Sequence, residues 1–154
     1  MKIRFVWIGK TKNNAIQELT EDYMQRIRKF AAVEVATLKD RSAAATSARR
    51  VEMEGADILA RTEADPFVVL LSERGKQMPS KRFARFIEDH MSAGTKEITF
   101  VIGGADGVTP AVEKRADLSL GLSEMTLTHE MARLFLAEQV YRAFTIIKNH
   151  PYQK

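Results

Sequence analysis

Cysteine is absent from the 154 residues. That absence removes disulfides, thiolate nucleophiles and cysteine-held metals together, and it fits a reducing compartment. Histidine is scarce. His90, His129 and His150 are scattered and have no paired carboxylate spacing, so no metal site is expected, and His90, on a helix rich in charge, reads as a surface residue. No Gly-x-Ser-x-Gly turn is present, which disfavours hydrolase chemistry through an activated serine. No apolar run approaches the length of a membrane span, and no signal-type segment precedes the strand-like opening Met1-Lys2-Ile3-Arg4-Phe5. A soluble cytoplasmic protein with no membrane partner is expected. Repeats, low-complexity tracts and linkers are also missing, so residues 1–154 are expected to form one domain.

The chain does have enough apolar residues for a core, at 45%. A domain of this length buries roughly 70% of its unfolded surface and needs no staple. The net charge is +4, with a pI near 9.4. That mild excess permits a polyanionic partner without requiring one. Basic residues gather at Arg26, Arg28 and Lys29, at Arg49 and Arg50, and at Arg74, Lys76, Lys81, Arg82 and Arg85. Any one of these clusters reads most simply as a solvated face.

Apolar periodicity alternates between strand and helix along the chain. Strands are expected at residues 2–8, 33–38, 67–71, 97–102 and 118–122. Helices are expected at about 14–30, 48–62, from an N-cap at Ser80 to near Gly94, from Thr109-Pro110 onward, and at about 129–148. Residues 39–47, small and polar, read as a loop. The fully apolar Phe67–Leu71 run is the kind buried on both faces of a parallel sheet. The fold class is therefore α/β, with a mostly parallel sheet and helices on both faces. The last helix carries an apolar arc wider than one sheet-facing stripe requires, which points to a homodimer.

Two stretches in the last third stand out. Phe100-Val101-Ile102-Gly103-Gly104-Ala105-Asp106-Gly107 is a buried strand that stops at a loop with three glycines, where a ligand can approach the main chain closely. Leu122-Ser123-Glu124-Met125-Thr126-Leu127-Thr128-His129 follows a second strand and leads into the last helix. Two loops at strand ends suggest one shared site. The glycine order and its late position fit neither a dinucleotide fingerprint nor a Walker loop, so a nucleotide-binding oxidoreductase is disfavoured. The tail Asn149-His150-Pro151-Tyr152-Gln153-Lys154 combines stacking and hydrogen-bonding groups beside Arg142 and Lys148, which suits an unstacked nucleobase. The plainer alternative is a tail that packs on its own domain.

These stretches together resemble the small RlmH (YbeA-like) methyltransferases of the SPOUT class. Val6-Trp7-Ile8-Gly9-Lys10, Leu70-Leu71-Ser72-Glu73-Arg74-Gly75-Lys76 and Glu138-Gln139-Val140-Tyr141-Arg142-Ala143-Phe144 extend the resemblance over essentially the whole chain. It implies a trefoil-knotted C-terminal segment, a homodimer, and S-adenosylmethionine bound at Leu71, Gly103 and the run Leu122, Ser123, Glu124, Met125, Thr126 and Leu127. It implies methylation of N3 of a pseudouridine in large-subunit ribosomal RNA, with assembled ribosomes as the expected substrate. Arg142, Tyr152 and His150 are the candidates for work at the base. Two departures stand out: Thr128 replaces the family's usual proline before the loop histidine, and Gln153 replaces its usual penultimate histidine. A non-enzymatic RNA- or ribosome-binding module is the alternative, although it gives no reason for the two paired loops.

Overall fold

The structure is a computed structural model that describes residues 1–153. Five strands form one parallel sheet in the order β2-β1-β4-β3-β5. They are β1 (Lys2–Ile8), β2 (Ala32–Leu38), β3 (Val68–Gln77), β4 (Glu97–Ile102) and β5 (Leu118–Gly121). The helices are α1 (Asn14–Ile27), α2 (Ser47–Thr62), α3 (Ser80–Ser92), α4 (Pro110–Arg115) and α5 (His129–Ile147). Alternation along β1 sorts the two faces, because successive strand side chains point opposite ways. Ile3, Phe5 and Trp7 join Met24 of α1, Ile87 of α3 and Phe144 of α5 in the larger core. Val6 and Ile8 join Ile58 of α2 and Val112 of α4 in the smaller one. The sheet is thus covered on both faces, and no helix is long and apolar enough to cross a membrane among the described residues.

β3 departs from the expected 67–71 by running on to Gln77. Its apolar half pairs with β5 at Val69–Leu71, residues 72–75 leave the register, and Lys76 and Gln77 pair with β5 again. Leu120 therefore has both Leu71 and Lys76 as partners. The polar sequence Ser72-Glu73-Arg74-Gly75-Lys76-Gln77 hides this second pairing from a reading based on apolar runs. Gly75 permits it: a Cβ there would stand 2.4 Å from the Leu120 carbonyl carbon and 2.6 Å from the Gly121 nitrogen. The chain reaches β5 from α4 on one face and leaves as α5 on the other, passing the 72–77 segment. This course is consistent with the knotted C-terminus that the resemblance implies.

Two local expectations need correction. Ser80 is not an N-cap but the first residue of α3, after Pro79. Its hydroxyl donates instead to Gln139 Oε1 of α5, at 2.8 Å. His90 is not a free surface residue. Its ring packs 4.2 Å from Phe67 and 4.7 Å from Phe86, with Nδ1 3.0 Å from the Thr95 hydroxyl.

α5 is anchored at its start by a buried cation. Arg133 is fully buried, donates to the Ile8 carbonyl at 2.6 Å and the Thr11 hydroxyl at 2.9 Å, and lies 5.1 Å over the Trp7 ring. Burial lowers its proton affinity, and the nearby Glu130 opposes that. Glu130 accepts from the N–H groups of Lys12 and Asn13, at 2.7 and 3.2 Å, and these bonds hold its carboxylate below the usual range. The N-termini of α1 and α5 are thereby clamped together. Further along, Tyr23 meets Tyr141 at 5.9 Å and Phe30 stacks on Phe144 at 5.7 Å, so the two helices run side by side in the same direction.

Candidate functional site

The C-terminal ends of β3, β4 and β5 bring three expected site elements together. Leu70 pairs with Val101 and Leu71 with Leu120, so Leu71, Gly103 and Leu122 emerge from adjacent strands. Ligands in open parallel sheets bind beyond this edge. Of the expected cofactor residues, only Leu122 lines the small cleft beside this edge, together with Met78, Phe83, Leu120, Gly121, Phe135 and Gln139.

The Leu122–Leu127 run makes little main-chain structure of its own. From Ser123 to Leu127, no main-chain group bonds to another main-chain group in the described residues. The loop is shaped by side chains: the Ser123 hydroxyl accepts from the Met125 N–H at 2.9 Å, and Thr126 donates to Glu73 Oε2 at 3.0 Å. Apart from the Met125 N–H, its amides and carbonyls are left without partners in the described residues, while Leu71, Leu122 and Leu127 are half-buried and supply apolar walls. Thr128 accounts for its own departure from the family pattern, because its hydroxyl caps α5 by accepting from the Met131 N–H at 3.2 Å.

The glycine loop closes on itself through a Gly107 N–H to Gly104 carbonyl bond of 3.2 Å, and Gly107 has φ +89°. Asp106 is tied to Arg50 of α2 at 2.6 Å. Gly103 has no room for a side chain, since a Cβ would come within 2.5 Å of the Val108 side chain. A Gly103→Val protein is expected to stay folded and to lose calorimetrically detectable S-adenosylmethionine binding, because the added methyls push either the turn or the ligand aside. Native affinity in this variant would remove Gly103 from the site.

The tail candidates form a second cluster. Tyr152 bonds the Tyr23 hydroxyl and Glu138 Oε1, each at 3.2 Å. Arg142 donates twice to Glu138 and lies 4.9 Å over the Tyr152 ring. Burial, the Tyr23 hydrogen bond and the Glu138 charge all push the Tyr152 phenol well above its ordinary pKa. The Glu138 partnership raises that of Arg142. His150 is exposed, with its ring edge-on to Phe30 at 5.8 Å. Gln153 and Lys154 carry no described side chains. Glu138 is the residue sequence reasoning missed. The available signal was its i, i+4 spacing to Arg142.

One chain does not unite the two clusters. Arg142 lies thirteen positions beyond His129 on one helix, which places it about 20 Å along the axis from the loop. Among the described residues, no group of three or more His, Asp or Glu side chains is arranged to hold a metal ion.

A family profile described as "Predicted SPOUT methyltransferase" matches residues 1–153. The chain is 40% identical over 152 residues to the "Ribosomal RNA large subunit methyltransferase H" of Geotalea daltonii, covering 99% of both chains. It is 39% identical to the protein of the same description from Streptococcus sanguinis, over the full length of both. A solved "probable methylase family protein" from Haemophilus influenzae shares the fold, with TM-score 0.59 and 14% identity, over 99% of this chain and 70% of that one.

Proposed function

The chain belongs to the SPOUT methyltransferase family, and from that premise we propose that it methylates N3 of a pseudouridine in large-subunit ribosomal RNA, on assembled ribosomes, as a homodimer. The curated relatives' description as large-subunit ribosomal RNA methyltransferases supports the substrate class. The single observation that carries the site is the open main chain of Ser123–Leu127 beside the Gly103 turn and the Leu71 strand end. Those residues fit S-adenosylmethionine: Leu71, Leu122 and Leu127 would contact its apolar faces, and the loop amides and carbonyls would bond its adenine. When bound, the cofactor supplies an electrophilic methyl group on a sulfonium.

N3 of the neutral base carries a proton that must leave for transfer to occur. Tyr152 is poorly suited to take it, because its phenol holds its own proton strongly and already has two partners. Its part is to orient the tail and, with Arg142, to present positive and donor groups to the developing anion. His150 is the tail group left to accept the proton, since a histidine ring nitrogen is the commonest general base. His150→Ala is expected to lower methyl transfer about 100-fold, the lower range for losing a general base. Tyr152→Phe is expected to cost less than about tenfold. The reverse order in single-turnover rates would make Tyr152 the base.

Two features support a dimer. Exposed apolar side chains on α1 and α5 (Leu19 at 50%, Met131 at 40% and Phe135 at 39%) lie on the layer formed by these two helices. Covering them with a second copy would use one self-complementary patch. The distance between loop and tail within one chain also calls for a partner's tail at each cofactor loop. Labelled methyl transfer to ribosomes from cells lacking the activity, with the product nucleoside identified, tests the whole reading. A product methylated elsewhere, or no product, would overturn it.

A further inference from the structure

We propose that Glu54 is a positioning residue for the cofactor loop, its carboxyl wedged behind Gly104 so that the Gly103–Gly107 turn presents its main chain to S-adenosylmethionine in one fixed place. The proposal rests on the cofactor reading above. α2 touches the segment 104–109 at three successive points from one helix face. Arg50 holds Asp106. One turn on, the Glu54 carboxyl fills the space where a Gly104 side chain would be: a Cβ there would stand 2.2 Å from Oε2 and 3.2 Å from Cδ. A Cβ on Gly55 would stand 2.8 Å from Thr109 Cγ2, and Thr109 caps α4 where the turn ends.

Packing alone does not account for a carboxyl in this position. Glu54 is only 2% exposed. Oε1 accepts one long bond from the Arg41 N–H, at 3.2 Å, and Oε2 has no partner. Burying a carboxyl with so little compensation costs free energy that an apolar side chain would not. Burial first, and then the nearby Asp40 and Asp106, raise its proton affinity, while Arg41 and Arg50 oppose this. The one side chain also reaches both loops that α2 otherwise holds separately, through Asp57 to Arg41 and through Arg50 to Asp106. Arg41 belongs to the segment after β2, and Gly104 to the turn after β4. A side chain that spans them at the lip of the site fixes one against the other, and catalytic geometry depends on such support.

The test uses the full-length protein. Dissociation constants for S-adenosylmethionine come from calorimetry, KM and kcat from ribosome methylation, and Tm from thermal unfolding. Glu54→Gln keeps the volume and is expected to stay within about threefold of native affinity, whereas Glu54→Ala is expected to raise Kd and KM at least about tenfold at near-native kcat. Glu54→Asp, which withdraws the carboxyl by one methylene, is expected to behave like the alanine variant and serves if that variant does not fold. Native Kd in either folded variant, or a lower Tm with unchanged Kd, overturns the positioning role. A native protein that binds no S-adenosylmethionine overturns the cofactor reading itself, and the two failures are thus distinct.

Discussion

Gly75→Ala is expected to be among the most destabilising single-methyl changes in this protein. The added Cβ would meet the main chain of Leu120 and Gly121 at 2.4–2.7 Å. Main chain cannot rotate away as a side-chain tip does. β5 is also paired twice along β3, at Val69–Leu71 and at Lys76–Gln77, so it cannot shift without breaking a ladder. Overpacking costs about 1–3 kcal/mol, and a contact with fixed main chain belongs at the upper end. For a chain of this size, about 3 kcal/mol lowers Tm by about 6–12 °C. Gly94→Ala is the control. Nothing lies within 4 Å of its Cβ position, and only its φ of +75° opposes the change, at about 1–2 kcal/mol. Equal losses for the two variants in calorimetric unfolding would mean that the 72–77 segment does not clasp β5. The same clasp stands beside the proposed cofactor loop, through Thr126 and Glu73, so the variant is also expected to weaken cofactor binding.

The parts of the fold that rest on apolar periodicity were legible. β4 lies at the expected 97–102, and α4 starts at the expected Thr109-Pro110 cap. The Phe67–Leu71 run is buried at Val68, Val69 and Leu70, as a strand covered on both faces of a parallel sheet must be. The second half of β3 was not legible, because main-chain pairing in a polar, glycine-containing segment leaves no hydrophobic signature. Ser80 misled for a related reason. A serine before a helix suggests a cap, yet a long-range partner, Gln139, took its hydroxyl. The glycine loop and the Leu122–Leu127 run were visible as oddities, and strand order then explained why they adjoin. What sequence could not supply was the direction of α5. It runs parallel to α1, with the two N-termini clamped at the loop end and Tyr152 and Arg142 at the other. Glu54 was equally hidden. A glutamate in an amphipathic helix reads as solvent-facing until Gly104 is seen to yield its side-chain space to it.

That direction of α5 leads to the prediction with the largest effect. Gly103→Val chains, unable to hold the cofactor, and chains lacking residues 150–154, unable to act on the base, are each expected to be inactive as homodimers. The truncated chain is expected to bind S-adenosylmethionine normally, since about 20 Å of helix separates Arg142 and the tail beyond it from the loop. Mixing the two under conditions that exchange subunits should restore activity from nothing. A heterodimer pairs the intact loops of the truncated chain with the intact tail of the Gly103→Val chain, and its other site has neither. Random exchange makes half the dimers mixed, each with one working site of two, so recovery should approach about one quarter of the native rate. A site built within a single chain would give no recovery, because each chain would carry its own defect. Native mass spectrometry establishes that mixed dimers have formed. Their presence without activity would overturn the shared site and return the tail to the role of a segment that packs against Tyr23 and Glu138.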